Sequence, residues 1–87
     1  MKVTAVQCNH CRDVIYSRAR HDMRWCSCGK TAIDGGSEYV RLMGDIYELE
    51  PYNLIVDATQ GELYNDWNRS EDRFGLIPPE KNVSGGR

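Results

Sequence analysis

Cys8-Asn9-His10-Cys11 and Cys26-Ser27-Cys28-Gly29 hold all four cysteines of this 87-residue chain. Two tight pairs separated by a hairpin-sized gap are what one tetrahedral metal ion requires. Zinc holds four thiolates at about 2.3 Å, so each pair must sit in a turn sharp enough to aim both sulfurs the same way. Gly29, directly after the second pair, supplies a permissive backbone for such a turn. The first pair has the common C-x-x-C spacing, whereas the second, C-x-C, closes a tighter chelate. The expectation is a structural zinc site with Cys8, Cys11, Cys26 and Cys28 as ligands. The competing readings are four reduced thiols, one or two disulfides, or a ligand set in which His10 or His21 replaces a cysteine. A redox-active C-x-x-C would call for a βαβ setting and a helix onset to lower the thiol pKa, and the sequence shows neither.

Working outward, Val3 to Gln7 reads as a short strand entering the first cysteine turn, and Asp13 to Arg18 as a strand leaving it. Arg18-Ala19-Arg20-His21-Asp22 is a polar turn, and Met23-Arg24-Trp25 leads back to the second cysteine pair. These two segments are expected to pair as a β-hairpin with the cysteines at its open side, as in a zinc ribbon. Lys30 to Ile33 is a further strand, ended by the turn signal Asp34-Gly35-Gly36-Ser37. Glu38 to Met43 and Ile46 to Glu50 follow as a short meander, with Pro51 closing the second strand or marking it as an edge. Leu54-Ile55-Val56, the most apolar run, is expected to be a core strand.

Thr59-Gln60-Gly61-Glu62 has the form of a capping box. The helix it predicts, from about Gln60 to Asn68, would place Leu63, Tyr64 and Trp67 on one face, with Trp67 in the core. From Arg69 the chain turns polar, and residues 81–87 read as a flexible tail. The expected fold class is therefore small and β-rich: zinc-ribbon-like hairpins with knuckles, then a meander and one C-terminal helix, in a single domain over residues 1–80. At this size a hydrophobic core alone is marginal, so the metal should contribute to folding.

Charge divides the chain. Residues 1–30 carry a balance of +4 and residues 31–87 a balance of −6, giving the net −2. No run is apolar enough to span a membrane, and the N-terminus is too short and polar for a secretory signal. The expected compartment is a cytosol, where thiols stay reduced and available to metal.

The combination Trp25-Cys26-Ser27-Cys28-Gly29, Ile33-Asp34-Gly35-Gly36, then Tyr39, Arg41 and Gly44 resembles a group of small, functionally uncharacterised zinc-ribbon-like proteins found mainly in tailed bacteriophages and prophages. Their signature is C-x-x-C, a basic H-D element, W-C-S-C-G, D-G-G and D-Y-x-R. The likeness runs from about Cys8 to Gly44 and departs at Glu38, where the group has aspartate. It implies a phage product acting in a bacterial cytoplasm and supplies no catalytic activity.

Three functions compete. Four thiolates fill the coordination sphere of a zinc ion, and the remaining polar residues His21, Asp22, Asp34 and Glu38 have no catalytic spacing, so no enzyme is expected. Arg18, Arg20, His21 and Arg24 beside Tyr16 and Trp25 form a basic, aromatic-bearing hairpin tip that could grip nucleic acid, although the acidic second half would repel phosphate. The favoured expectation is a protein that binds and modulates a host protein, such as a defence effector or transcription component. Its anchors would be drawn from Tyr47, Tyr52, Tyr64 and Trp67, with core packing the competing role, favoured for Trp67 and left open for Tyr52.

Overall fold

Alternating side chains on its strands divide the apolar residues of this chain between two faces, and the fold is built on that division. The computed structural model describes residues 1–36, 39–46 and 49–79. Its elements are β1 (Lys2–Gln7), β2 (Val14–Tyr16), β3 (Arg24–Trp25), β4 (Thr31–Asp34), β5 (Arg41–Gly44), β6 (Tyr52–Ile55), α1 (Gln60–Arg69) and β7 (Leu76–Ile77). The strands form two antiparallel sheets, in the orders β6-β1-β2-β7 and β3-β4-β5. The β-rich class with one helix near the C-terminus is the one the chain adopts.

In the first sheet Ala5 lies opposite Tyr16, Gln7 opposite Val14 and Val3 opposite Leu54. These residues share a face, and Val3, Ala5, Val14 and Tyr16 cluster there with Ala58 and Leu63 of the helical side. Val6 opposite Ile15 points the other way, into a cluster with Cys8, Cys26 and Ile33. The first sheet is thus a middle layer, with the helix on one side and the second sheet and the cysteines on the other.

The strands leaving and re-entering the cysteine turns do not pair with each other as the ribbon reading expects. β2 pairs with β1 and β7, and β3 with β4. The reason is local: each cysteine turn closes a hairpin of its own, β1–β2 around Cys8 and Cys11, and β3–β4 around Cys26 and Cys28. The turn between Arg18 and Asp22 is not a loose tip either. The Asp22 N–H reaches the Ala19 carbonyl at 3.1 Å, and the Ser17 hydroxyl lies 2.6 Å from the Ala19 carbonyl and 2.7 Å from that of Asp22. Ser17 also accepts the Gly36 N–H at 3.0 Å, which brings the Gly-Gly turn onto this one. Gly36 has φ +58°, and a Cβ there would lie 2.7 Å from the Ala19 carbonyl carbon, so both space and backbone select glycine.

Four further expectations change. Leu54-Ile55-Val56 supplies an edge strand rather than a core strand: β6 has β1 on one side only among the described residues, and Ile55 is 75% exposed. Leu54 and Val56 pack against the core and Ile55 between them does not, because a strand with one buried side can hide only alternate residues. Ile46, Leu49 and Glu50 are not in a strand; the Leu49 N–H bonds the Ile46 carbonyl at 3.1 Å, and Leu49 lies against the cysteine-side core. The helix and its capping box form as expected, with Thr59 Oγ1 accepting from Glu62 N at 3.1 Å and Glu62 Oε1 from Thr59 N at 2.8 Å. Its buried residues, however, are Leu63 and Asp66, while Tyr64 is exposed and Trp67 only partly covered. Finally, the segment after Arg69 returns as β7, completing the first sheet. Ser37, Glu38, Tyr47, Glu48 and the expected tail lie outside the described residues.

Candidate metal centre

The two cysteine turns are built alike. Cys8 N–H donates to the Asp13 carbonyl at 2.9 Å and Cys26 N–H to the Thr31 carbonyl at 2.9 Å, in each case five residues on. The residue after the second cysteine takes positive φ in both, Arg12 at 69° and Gly29 at 75°. The Arg12 N–H closes on the Cys8 carbonyl at 3.1 Å and the Gly29 N–H on the Cys26 carbonyl at 3.0 Å. Glycine adopts this backbone freely; at Arg12 the turn is held as well by the Gln7 side-chain amide, which donates to the Arg12 carbonyl at 3.1 Å.

The turns face each other, and the sulfurs of Cys8, Cys11, Cys26 and Cys28 all lie within 4.8 Å of one another. Cys8 and Cys28 are 3.7 Å apart and Cys26 and Cys28 3.4 Å. Four sulfurs about 2.3 Å from a common tetrahedral centre would stand about 3.8 Å apart, so the spacing suits a shared ion and is far above a disulfide's ~2.05 Å. All four cysteines are free. The surroundings of Cys8 suit a thiolate: its Sγ receives the His10 N–H at 3.3 Å and the Thr31 hydroxyl at 3.5 Å. Burial pushes the Cys8 thiol up, but the Thr31 hydroxyl and the backbone N–H groups of Cys11 and His10 outweigh it and hold it at about 6. Burial pushes Cys11 up to about 12. The four cysteines can hold a metal ion. Neither histidine belongs to the group; the His10 Nε2 is turned to Asp45 Oδ2 at 2.6 Å.

Sequence reasoning missed Asp13. It is buried, and its Oδ2 accepts both the Ser27 N–H, at 2.8 Å, and the Ser27 hydroxyl. One carboxylate from the first turn therefore holds the middle of the C-x-C turn in place. Burial raises its pKa, but the Ser27 bonds outweigh this and hold it below the ordinary carboxylate range. Its position two residues past Cys11 was the available signal.

The expected basic tip is taken up internally. The Arg18 side chain is 5% exposed and binds Asp22 through Nε at 2.7 Å and Asp66 through Nη1 at 2.8 Å, with Asp72 at 3.3 Å. Arg24 Nη1 binds Asp72 at 2.8 Å, and its guanidinium lies against Gly75. Asp66 is wholly buried and also accepts the N–H groups of Arg73 at 2.9 Å and Phe74 at 3.0 Å. Two cations are thus surrounded by three carboxylates. Arg20 and His21 remain exposed, and Tyr52 lies on β6, at the edge of the first sheet. No helix among the described residues is long and apolar enough to cross a membrane.

Two hairpin turns that converge four free sulfurs define a small β protein with a cysteine cluster that could hold a metal ion. A family model described as Domain of unknown function (DUF7695) matches residues 1–44, just over half of the 87 residues, and the chain belongs to that family. The match contains both cysteine turns and Arg18, and excludes Asp66 and Asp72. No curated protein and no solved structure matches the chain.

Proposed function

We propose that the chain is a zinc-stapled protein-interaction module, with Cys8, Cys11, Cys26 and Cys28 holding a structural ion and exposed apolar side chains making the contacts. The observation that carries this reading is the fate of the arginines. Arg18 and Arg24 are committed to Asp22, Asp66 and Asp72, which leaves the basic turn little charge to offer a phosphate backbone. What the surface offers instead is Met23, Trp25, Tyr39, Val40, Tyr52, Ile55 and Tyr64, residues of the kind that anchor protein interfaces. Four sulfur ligands complete a tetrahedral sphere, which supports a structural rather than a catalytic role for the ion. The resemblance to phage proteins makes the partner a host protein, held so that its activity changes.

Elemental analysis of purified protein should give one zinc per chain. Zinc-loaded protein used as bait should capture one host protein in a way that survives high salt and is lost when zinc is stripped. Retention on DNA or RNA that falls steeply with salt and disappears in Arg20→Ala would overturn the reading in favour of nucleic acid.

A further inference from the structure

The geometry points to the free edge of β6 as the docking strand, and to an extended protein segment with basic flanks as its occupant. This rests on the interaction-module reading and names the site and the partner's chemistry. The Val56 N–H bonds the Met1 carbonyl at 2.9 Å, one step beyond the pairs Lys2 with Ile55 and Val3 with Leu54. In an antiparallel ladder, bonded and non-bonded pairs alternate. Tyr52, Leu54 and Val56 therefore turn their N–H and C=O groups toward β1, and Asn53 and Ile55 turn theirs outward. Pro51 shares the outward phase, so its missing N–H costs no bond to β1.

Sheet edges are ordinarily blunted by lysine, an internal proline, a bulge or a covering element. β6 reads Tyr-Asn-Leu-Ile and carries none of these in its own sequence, and among the described residues no strand covers it. Ile55 at 75% and Tyr52 at 41% exposed flank the open groups. Extended segments that add to such an edge gain affinity from backbone bonds and specificity from alternate side chains.

Charge selects the occupant. Glu50 and Asp57 are exposed at the two ends of the strand, while Lys2 lies inboard on β1. A second copy is disfavoured: antiparallel pairing of two β6 edges with Asn53 opposite Ile55 sets Asp57 of each copy beside Pro51 and Glu50 of the other, crowding two carboxylates at each end. A segment with lysine or arginine on both sides of its apolar residues meets these ends with opposite charge, which favours encounter and fixes register.

The test uses the zinc-loaded 87-residue chain and two synthetic peptides of about ten alternating valines and threonines, one with two lysines at each end and one with two glutamates. The lysine peptide should slow hydrogen exchange at Asn53 and Ile55 and leave Tyr52 and Leu54 unchanged, because their N–H groups are already bonded. Glu50→Lys with Asp57→Lys should weaken it roughly tenfold and favour the glutamate peptide. Ile55→Pro, which removes an outward N–H and no bond to β1, should abolish the protection at Asn53; if that variant misfolds, the charge reversal still decides. Equal binding of both peptides, no protection at Asn53 and Ile55, or concentration-dependent protection without peptide would overturn the proposal. A host protein still captured by Ile55→Pro would remove the edge and spare the interaction module; no capture by the unmodified chain would remove both.

Discussion

Asp66→Asn isolates the buried ion pairs, because it keeps the shape of the side chain and removes its charge. Oδ2 takes the Arg18 guanidinium at 2.8 Å and the Phe74 N–H at 3.0 Å, and Oδ1 takes the Arg73 N–H at 2.9 Å. An amide has one oxygen, so either orientation turns its NH2 toward a group that is itself a donor. One unmet donor costs about 1–3 kcal/mol, and demoting a charge-assisted bond to a neutral one costs about 1 kcal/mol more. Removing one partner of a buried pair can cost about 3–5 kcal/mol, but Arg18 keeps Asp22, so a total near 3 kcal/mol is expected. With a urea slope of about 1.5 kcal/mol per molar, the midpoint of the zinc-loaded protein should fall by about 2 M. The same substitution in an Arg18→Met background should cost clearly less, because the cation is gone. Burial raises the Asp66 pKa, but Arg18 and the two N–H groups outweigh it and hold it below its ordinary 3.8. The unfolded chain therefore binds the proton more readily, and this stability is present above that value and lost only as pH falls below it. The gap between the two proteins should be constant from pH 5 to pH 8. A shift under about 1 kcal/mol, or additivity with Arg18→Met, would refute the role given to this carboxylate.

Cys28→Ser should leave purified protein without its stoichiometric zinc and unfold both cysteine turns, read by elemental analysis and circular dichroism; a variant that keeps metal and fold would show that Cys28 is not a ligand. Asp13→Asn, which weakens the carboxylate's hold on Ser27 and its bond with the Cys11 thiol, should lower zinc affinity about 10- to 100-fold in competition with a chelator while leaving the stoichiometry at one. Gly36→Ala should destabilise by at least about 1 kcal/mol in urea, since the new methyl meets the Ala19 carbonyl carbon at 2.7 Å in a backbone with φ +58°.

The cysteine spacing carried the cluster because each cysteine turn is a local property: Cys8 to Cys11 and Cys26 to Cys28 each close a short hairpin, and the four sulfurs come within 4.8 Å of one another. The capping box at Thr59 and Glu62 was legible for the same reason. What failed was long-range. Arg18 looks like a solvated cation when read beside Ala19, Arg20 and His21, and its burial depends on Asp66 and Asp72, 48 and 54 residues away. β7 is a two-residue strand, and so short a run has no periodicity to detect; it exists because β2 offers it a ladder. Leu54-Ile55-Val56 was misplaced since an apolar run says nothing of whether a neighbour will cover both faces.

The placement of these long-range partners bears on what the family region can do alone. A chain cut after Gly44 keeps all four sulfurs, but it loses β6 and β7, the strands on both edges of the first sheet, and with them α1. Val3, Ala5, Val14 and Tyr16 would then face water where Ala58 and Leu63 had covered them, and Arg18 would keep Asp22 while losing the carboxylate that ties it to the helix. The cysteine cluster keeps its local supports, because Asp13, Ser27 and Thr31 all lie inside the retained part. The expected result is a fragment that binds one zinc yet lacks a cooperative urea transition and binds a dye for exposed apolar surface. Cooperative unfolding of zinc-loaded 1–44 would show instead that the metal organises the first sheet without its outer strands, and the second half would then be an addition to a finished domain.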